Sequence, residues 1–252
     1  MMPGWFGFQL WGFPMFFMGM GLLLSVFYLD GRITMVRTEG QHQFRQQEAW
    51  SNILRILSPK YPLPASRGWA ASPDFLEYIT HSIFFEKPEL LIECGGGLST
   101  IIIGHALKKV GKGKLISLDH DEYYAQQTKA WVEEHRLEDV VDVVFAPLRE
   151  YTLNDKSWLW YDWKPIKDTA AIDLLVVDGP PSGVQKEARY PAVPLLNEYL
   201  TAKASVLVDD YRRPDEQALV DRWANEYGWE IELLRAEKGA CRLKRKRGTT
   251  GS

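Results

Sequence analysis

The chain has 252 residues, of which 46% are hydrophobic and 25% charged, with a formal net charge of −3. These values exclude a disordered or collagen-like chain, and the mild acidic balance excludes a dedicated nucleic-acid binder, which needs a basic excess. The two cysteines, Cys94 and Cys241, stand outside any CxxC pair, so a disulfide framework and structural zinc are excluded and a reducing compartment is the default.

Taken in chain order, no Asp, Glu, Lys or Arg occurs before Asp30. The run from Trp5 to Leu29 is long enough to cross a hydrocarbon core as a helix. Trp5, Trp11 and Tyr28 suit its interfacial ends. A cleaved signal peptide is the rival reading, but there is no basic leading segment and no small-x-small cleavage site. Arg32, Arg37 and Arg45 follow the run, which by the positive-inside rule puts the rest of a single-pass membrane protein in the cytoplasm.

Residues 41–58 read as an amphipathic helix with Phe44, Trp50, Ile53, Leu54 and Leu57 on its apolar face, ended by Pro59, Pro62 and Pro64. Ser72, Pro73 and Asp74 read as the start of a helix running to about Phe85. From there strands and helices alternate. Strands are expected over Leu90–Cys94, Lys114–Asp119, Val140–Ala146, Ile172–Asp178 and Ala204–Asp209, and helices over Ser99–Val110, Glu122–Arg136 and Asp215–Tyr227. Two strands around Lys238-Gly239, Trp229–Arg235 and Ala240–Arg245, close the pattern.

Alternation of this kind predicts an α/β fold: a Rossmann-like, doubly wound sheet of seven strands, mostly parallel, with an antiparallel C-terminal hairpin. The aromatic cluster Trp158–Trp163 reads as a substrate wall, a membrane-facing patch, or a helix or loop packed on the sheet's edge. The expected organisation is a transmembrane anchor over 1–30, a helical linker or cap over 31–68, the α/β domain over 69–247 and a flexible tail over 248–252.

Two constellations carry chemistry. In Ile92–Thr100 a strand runs through Glu93 and Cys94 into Gly95, Gly96 and Gly97, and then into a helix. Glycines permit a tight turn and close approach of a ligand, and the helix start offers free N–H groups. Glu93 stands where a pyrophosphate-binding loop has an apolar residue, and Asp119 ends the next strand, placed to take two ribose hydroxyls. An acid at the glycine turn suits a cationic or hydrogen-bond-donating ligand. The second constellation is Asp178, Asp209 and Asp210 at the ends of two later strands. Carboxylates converging at that edge repel one another unless they are protonated or bridged by a cation.

The segments LLIECGGGLST, LISLDHDEYYAQQT, IDLLVVDGPPSG, ARYPAVPLL and VLVDDYRRPDE make the chain from about Trp69 to Arg245 resemble the class I S-adenosylmethionine-dependent methyltransferases. The resemblance implies S-adenosyl-L-methionine as cofactor. Glu93, Gly95, Gly96, Gly97 and Ser99 would surround its methionine part, Asp119 would hold the ribose, His120 and Ala146 would lie near the adenine, and Asp178 would orient the amine. Ser99 departs from the fuller pattern, which often has a third glycine there. Asp178, Asp209 and Asp210 also resemble the catechol O-methyltransferase branch, in which acids at these strand ends hold Mg²⁺; Pro181 stands where that branch has a lysine base. Asp178, Asp210 and Tyr190 are the candidates for the proton-accepting base.

The expected activity is O-methylation of a small, lipid-linked or otherwise membrane-associated acceptor at the cytoplasmic membrane face. The expected partners are that acceptor and the membrane, with a homo-oligomer left open and no nucleic acid. The alternatives are an NAD-dependent oxidoreductase and a catalytically silent membrane scaffold.

Overall fold

A computed structural model describes residues 12–66, 68, 70–164 and 171–246. The chain divides into two compact units, Met1–Arg45 and Gln46–Ser252. Helix α1, Gly12–Leu57, runs without interruption past both the 30/31 boundary and the start of the helix expected at residue 41.

The membrane anchor is a correction. Among the described residues no helix is long and apolar enough to cross a membrane. The upstream part of the apolar run, Trp5 to Trp11, lies outside the described residues. Within α1 the side chains of Leu24–Leu29 are followed at once by Asp30 and Arg32, then by Arg37 and Glu39, whereas a span needs about 20 apolar residues in succession. The transmembrane helix and the single-pass membrane localisation are therefore withdrawn. The expected flexible tail, 248–252, also lies outside the described residues.

In the second unit the end of α1 buries Ala49, Ile53 and Leu57, a stripe at four-residue spacing. Leu54 and Phe44, expected on the apolar face, are exposed, and Trp50 is half-buried. Asn52 Nδ2 donates to Glu77 Oε1 at 2.8 Å and Gln46 Nε2 to Asp74 Oδ2 at 2.8 Å, fixing this end to helix α2, Pro73–Glu86. Ser72 precedes α2 as expected, but its hydroxyl donates to Asp74 Oδ1 (2.6 Å), and Asp74 Oδ1 in turn accepts the Phe75 N–H (2.9 Å).

The sheet then builds in chain order: β1 Leu90–Cys94, helix α3 Leu98–Val110, β2 Lys114–Asp119, helix α4 Glu122–Glu134 and β3 Val141–Phe145. The hairpin β4 Leu148–Leu153 and β5 Lys156–Tyr161 follows, then β6 Ile172–Val177, the short helix α5 Ala192–Leu196, β7 Leu200–Asp209, helix α6 Pro214–Tyr227, β8 Trp229–Leu234 and β9 Ala240–Arg245. The seven-stranded sheet has the order β3-β2-β1-β6-β7-β9-β8. Pairs from β3 to β7 are parallel, and β9 joins β7 and β8 antiparallel, as expected.

Side chains alternate across a strand, and the core divides accordingly. Ile92, Cys94, Leu175, Val177, Val206 and Val208 face one apolar layer with Leu219, Val220 and Trp223 of α6. Leu91, Leu174, Val176 and Leu207 face the other, with the end of α1, α2 and α3. Strands buried on both sides have no polar alternation, which is why they read as continuous apolar runs.

The aromatic cluster is mainly strand rather than helix or loop. Residues 158–161 of it belong to β5, which pairs antiparallel with β4 as a separate two-stranded sheet, and Asp162 and Trp163 follow the strand. Asn154 (φ 50°) and Asp155 (φ 57°) form the two-residue turn with both φ positive, the geometry that a tight hairpin favours. Trp158 and Trp160 are fully buried while Leu159 between them is exposed, so the hairpin lays one face on the core.

Candidate functional site

The strand order puts β1 beside β6, with the chain winding outward from β1 through β2 on one side and from β6 through β7 on the other. Ligands of doubly wound sheets occupy the crevice at such a reversal, beyond the carboxyl ends of the strands. Those ends carry, in spatial order, Asp119, Glu93-Cys94, Asp178 and Asp209.

Close approach of the backbone explains the glycines. Gly95 has φ 95°, and a Cβ there would lie 3.2 Å from the Gly179 backbone N. The Asp178 N–H donates to Cys94 O at 3.0 Å and the Gly95 N–H to Leu118 O at 2.9 Å, so the turn is stitched to both neighbouring strands. A Cβ on Gly96 would come within 2.8 Å of Ser117 Oγ. Gly97, at φ 136°, precedes α3 and gives its N–H to Thr100 Oγ1 (3.0 Å); a Cβ there would point into open space.

Glu93 is wholly buried. Its Oε2 accepts from Thr100 Oγ1 at 2.5 Å and from Ser117 Oγ at 2.7 Å, while Oε1 has no hydrogen-bond partner. Burial raises its pKa, opposed by the hydroxyls of Ser99, Thr100 and Ser117, that of Ser99 lying close without a well-formed hydrogen bond. A buried acceptor without a partner is costly, so a donor supplied by a ligand would relieve it. Ser99 is itself buried in the first turn of α3.

Asp119 ends β2 and is largely buried, which raises its pKa; the Asp121 N–H, donated to Oδ1 at 3.0 Å, opposes the rise. His120 places Nδ1 3.6 Å from Asp119 Oδ1 and its ring edge-on to Tyr161, with centroids 6.0 Å apart. Ala146 is fully buried and gives its N–H to Asp119 O (2.7 Å), so its backbone donor is engaged within the sheet edge.

Asp178, Asp209 and Asp210 do come together: one carboxylate oxygen of each lies within 4.8 Å of the others. Adjacent residues in a strand point to opposite faces, but Asp210 has φ 61°, which turns the chain just after β7. The cation between them is one that sequence reasoning missed, Arg189. Its Nη2 donates to Asp210 Oδ2 at 2.8 Å and to Asp178 Oδ1 at 3.2 Å, and its Nη1 to Asp209 O at 3.0 Å. Its Nε stands 3.7 Å from Glu216 Oε1, and Arg213 Nη1 adds a second contact to Asp210 Oδ2 at 2.9 Å. The convergence of acids signals a proton or a cation, but nothing local identifies Arg189 as the cation.

A metal bridging Asp178 Oδ1 and Asp210 Oδ2 would have to displace Arg189 Nη2, which stands 3.2 and 2.8 Å from them. Mg²⁺ binds oxygen at about 2.1 Å, and the position touching both oxygens is held by the guanidinium of Arg189, only 3% exposed.

Burial raises the Asp178 pKa to about 6 against the pull of Arg189, with Asp210 adding to the rise. Asp209 is fully buried, neither of its carboxyl oxygens has a partner, and burial lifts its pKa well above the usual carboxylate range. Burial thus favours the protonated carboxyl of Asp209 more in the folded protein than in the unfolded chain. Stability from this group is full below the unfolded pKa, about 4, and falls as pH rises toward the raised folded value. Asp209→Asn is expected to remove that slope. Melting temperatures from pH 5 to 8 should fall less steeply in the variant, and parallel curves would contradict the assignment.

Tyr190 does not stand free as a base. Its hydroxyl donates to Glu226 Oε2 at 2.8 Å and accepts from Asn154 Nδ2 at 3.0 Å, its ring packs 4.6 Å from Trp158, and burial first, then the Glu226 contact, pushes its pKa up to about 12.

Residues 92–211 match the family model of a methyltransferase domain. The chain carries a methyltransferase domain. No curated protein matches the sequence. Among solved structures, the fold is similar to a Podospora anserina methyltransferase bound to S-adenosylhomocysteine, at TM-score 0.59 and 14% identity over 84% of this chain and 96% of that one. It is also similar to a Bacillus cereus O-methyltransferase in complex with S-adenosylhomocysteine, at TM-score 0.55 and 14% identity over 82% and 97%. A third is the O-methyltransferase TomG of Streptomyces achromogenes with S-adenosylmethionine, at TM-score 0.50 and 16% identity over 79% and 90%. At these identities the likeness is one of fold. The oxidoreductase and silent-scaffold alternatives gain no support from the methyltransferase match.

Proposed function

We propose that the methyltransferase domain moves a methyl group from S-adenosylmethionine to a hydroxyl of a small-molecule acceptor. The observation that carries the reading is Glu93: a buried carboxylate with one unpartnered oxygen, beside the Gly95–Gly97 turn and one strand from Asp119. The cofactors held by the three similar folds support it, and two of those proteins are O-methyltransferases.

In this reading Glu93 accepts a hydrogen bond from the methionine end, Gly95 and Gly97 let it lie against the backbone, and Ser99 leaves room at the helix start. Asp119 accepts from the two ribose hydroxyls, with His120 on the adenine side. When bound, the cofactor supplies a sulfonium methyl group with an excellent leaving group, so the protein's part is orientation and proton removal.

Asp178 suits the second task. It is the least buried of the three clustered aspartates, and a pKa of about 6 leaves it ionised, yet basic, at neutral pH. It takes the proton from the acceptor hydroxyl as the carbon–sulfur bond breaks and the carbon–oxygen bond forms. Asp210 is committed to two guanidiniums and serves as their counter-charge.

The test is ligand-dependent melting. S-adenosylhomocysteine at about 100 times its Kd stabilises by about 2.7 kcal/mol, which for a domain of this size raises the melting temperature by roughly 5–10 °C. NAD should leave it unchanged. A rise with NAD and none with S-adenosylhomocysteine would overturn the reading.

A further inference from the structure

We infer that Arg189 is the built-in cation of the acidic cluster, so that the site works without a divalent metal and would become a metal site only if Arg189 were removed. The inference rests on reading the cluster as part of the methyl-transfer site and asks what charge balances it.

Asp178, Asp209 and Asp210 have the spacing of a cation site, with ligand oxygens within 4.8 Å of one another. An ion bridging Asp178 Oδ1 and Asp210 Oδ2 would need the volume that Arg189 Nη2 fills, at 3.2 Å from one and 2.8 Å from the other. The guanidinium has little freedom to leave. It is 97% buried, its Nη1 is anchored on the Asp209 carbonyl, and Glu216 lies beside its Nε. Withdrawing it would leave the buried Asp210 carboxylate and that of Asp178 without this counter-charge.

The charge count agrees. The carboxylates of Asp178, Asp210 and Glu216 lie against two guanidiniums, Arg189 and Arg213. A divalent ion added to this set would be repelled by the Arg189 charge. Arg189 also spans the ends of β6 and β7 by bonding Asp178 and the Asp209 carbonyl. It anchors the Asp178 carboxylate through Nη2 at 3.2 Å. It is therefore a positioning residue, acting on the proton acceptor rather than on the acceptor molecule.

The experiment titrates Mn²⁺ into the full chain and reads free ion by electron paramagnetic resonance, with S-adenosylhomocysteine binding measured on the same samples by calorimetry. Wild type is expected to bind no Mn²⁺ at the cluster, and its S-adenosylhomocysteine affinity is expected to be unchanged by EDTA. Arg189→Met is expected to gain a Mn²⁺ site, with affinity raised by at least about tenfold and lost again in Arg189→Met/Asp209→Asn. Mg²⁺ should raise the melting temperature of Arg189→Met alone. Should the methionine variant not fold, Arg189→Gln, which keeps a polar head, must show the same gain.

Mn²⁺ binding by wild type that Asp209→Asn abolishes would overturn the inference. So would a folded Arg189 variant that gains no site. Wild type that ignores S-adenosylhomocysteine would defeat the proposed function instead, and the metal titrations would still judge Arg189.

Discussion

The Asp119→Ala variant is expected to bind S-adenosylhomocysteine about 100-fold more weakly than wild type. Asp119 stands at the carboxyl end of β2, beside the glycine turn that follows β1. A carboxylate accepting from two ribose hydroxyls makes two charge-assisted hydrogen bonds, each contributing about 1.5–3 kcal/mol. The low end of that sum, about 3 kcal/mol, is a factor of somewhat over 100 in Kd. Stability should change much less. The Asp119 carboxyl accepts the Asp121 N–H, and its burial already opposes ionisation, so the apo protein loses one turn contact and one poorly solvated charge. Calorimetric titration of wild type and variant separates the two effects. An affinity within twofold of wild type would remove Asp119 from the cofactor site.

The second large effect is on the hairpin. Trp158→Ala is expected to destabilise the fold by about 3–5 kcal/mol, the usual cost of deleting a buried aromatic. Trp158 is fully buried, its ring centroid is 4.6 Å from that of Tyr190, and the Lys156 ammonium sits 4.0 Å above it. Tyr190 is in turn covered by the Arg222 guanidinium at 3.8 Å and tied to Glu226, so the residue links the hairpin to α6. The hairpin also supplies Tyr161, which packs beside His120. Urea denaturation should show a lower midpoint at an unchanged slope. A variant as stable as wild type would mean that the hairpin rests loosely on the sheet.

The sheet and its row of acids were legible in the sequence because both obey simple rules. Buried parallel strands are short apolar runs, and here β1, β2, β6 and β7 each end in or beside a carboxylate at the edge where ligands bind. The hairpin was only half legible. An Asn-Asp turn marks it, but Trp158, Leu159 and Trp160 are all apolar, so no polar alternation shows which face is buried.

Arg189 was harder. It lies eleven residues beyond Asp178, and only the fold brings it between acids from two strands. Nothing local marks an arginine as a buried cation. Tyr190 misled for the same reason: its neighbour in sequence faces the carboxylates, while its own hydroxyl is held by Glu226 and Asn154. At the N-terminus, the apolar composition up to Leu29 suggested a membrane span, yet α1 continues through Asp30, Arg32 and Arg37 as one helix. Composition had set a boundary that hydrogen bonding does not observe.

The most direct test of the account is a crystal structure of the protein with S-adenosylhomocysteine. The account predicts the ligand in the crevice between β1 and β6, its amino-acid end against Glu93 and the glycine turn, and its ribose hydroxyls on Asp119. A ligand bound elsewhere, or one in the crevice that leaves both carboxylates untouched, would contradict it.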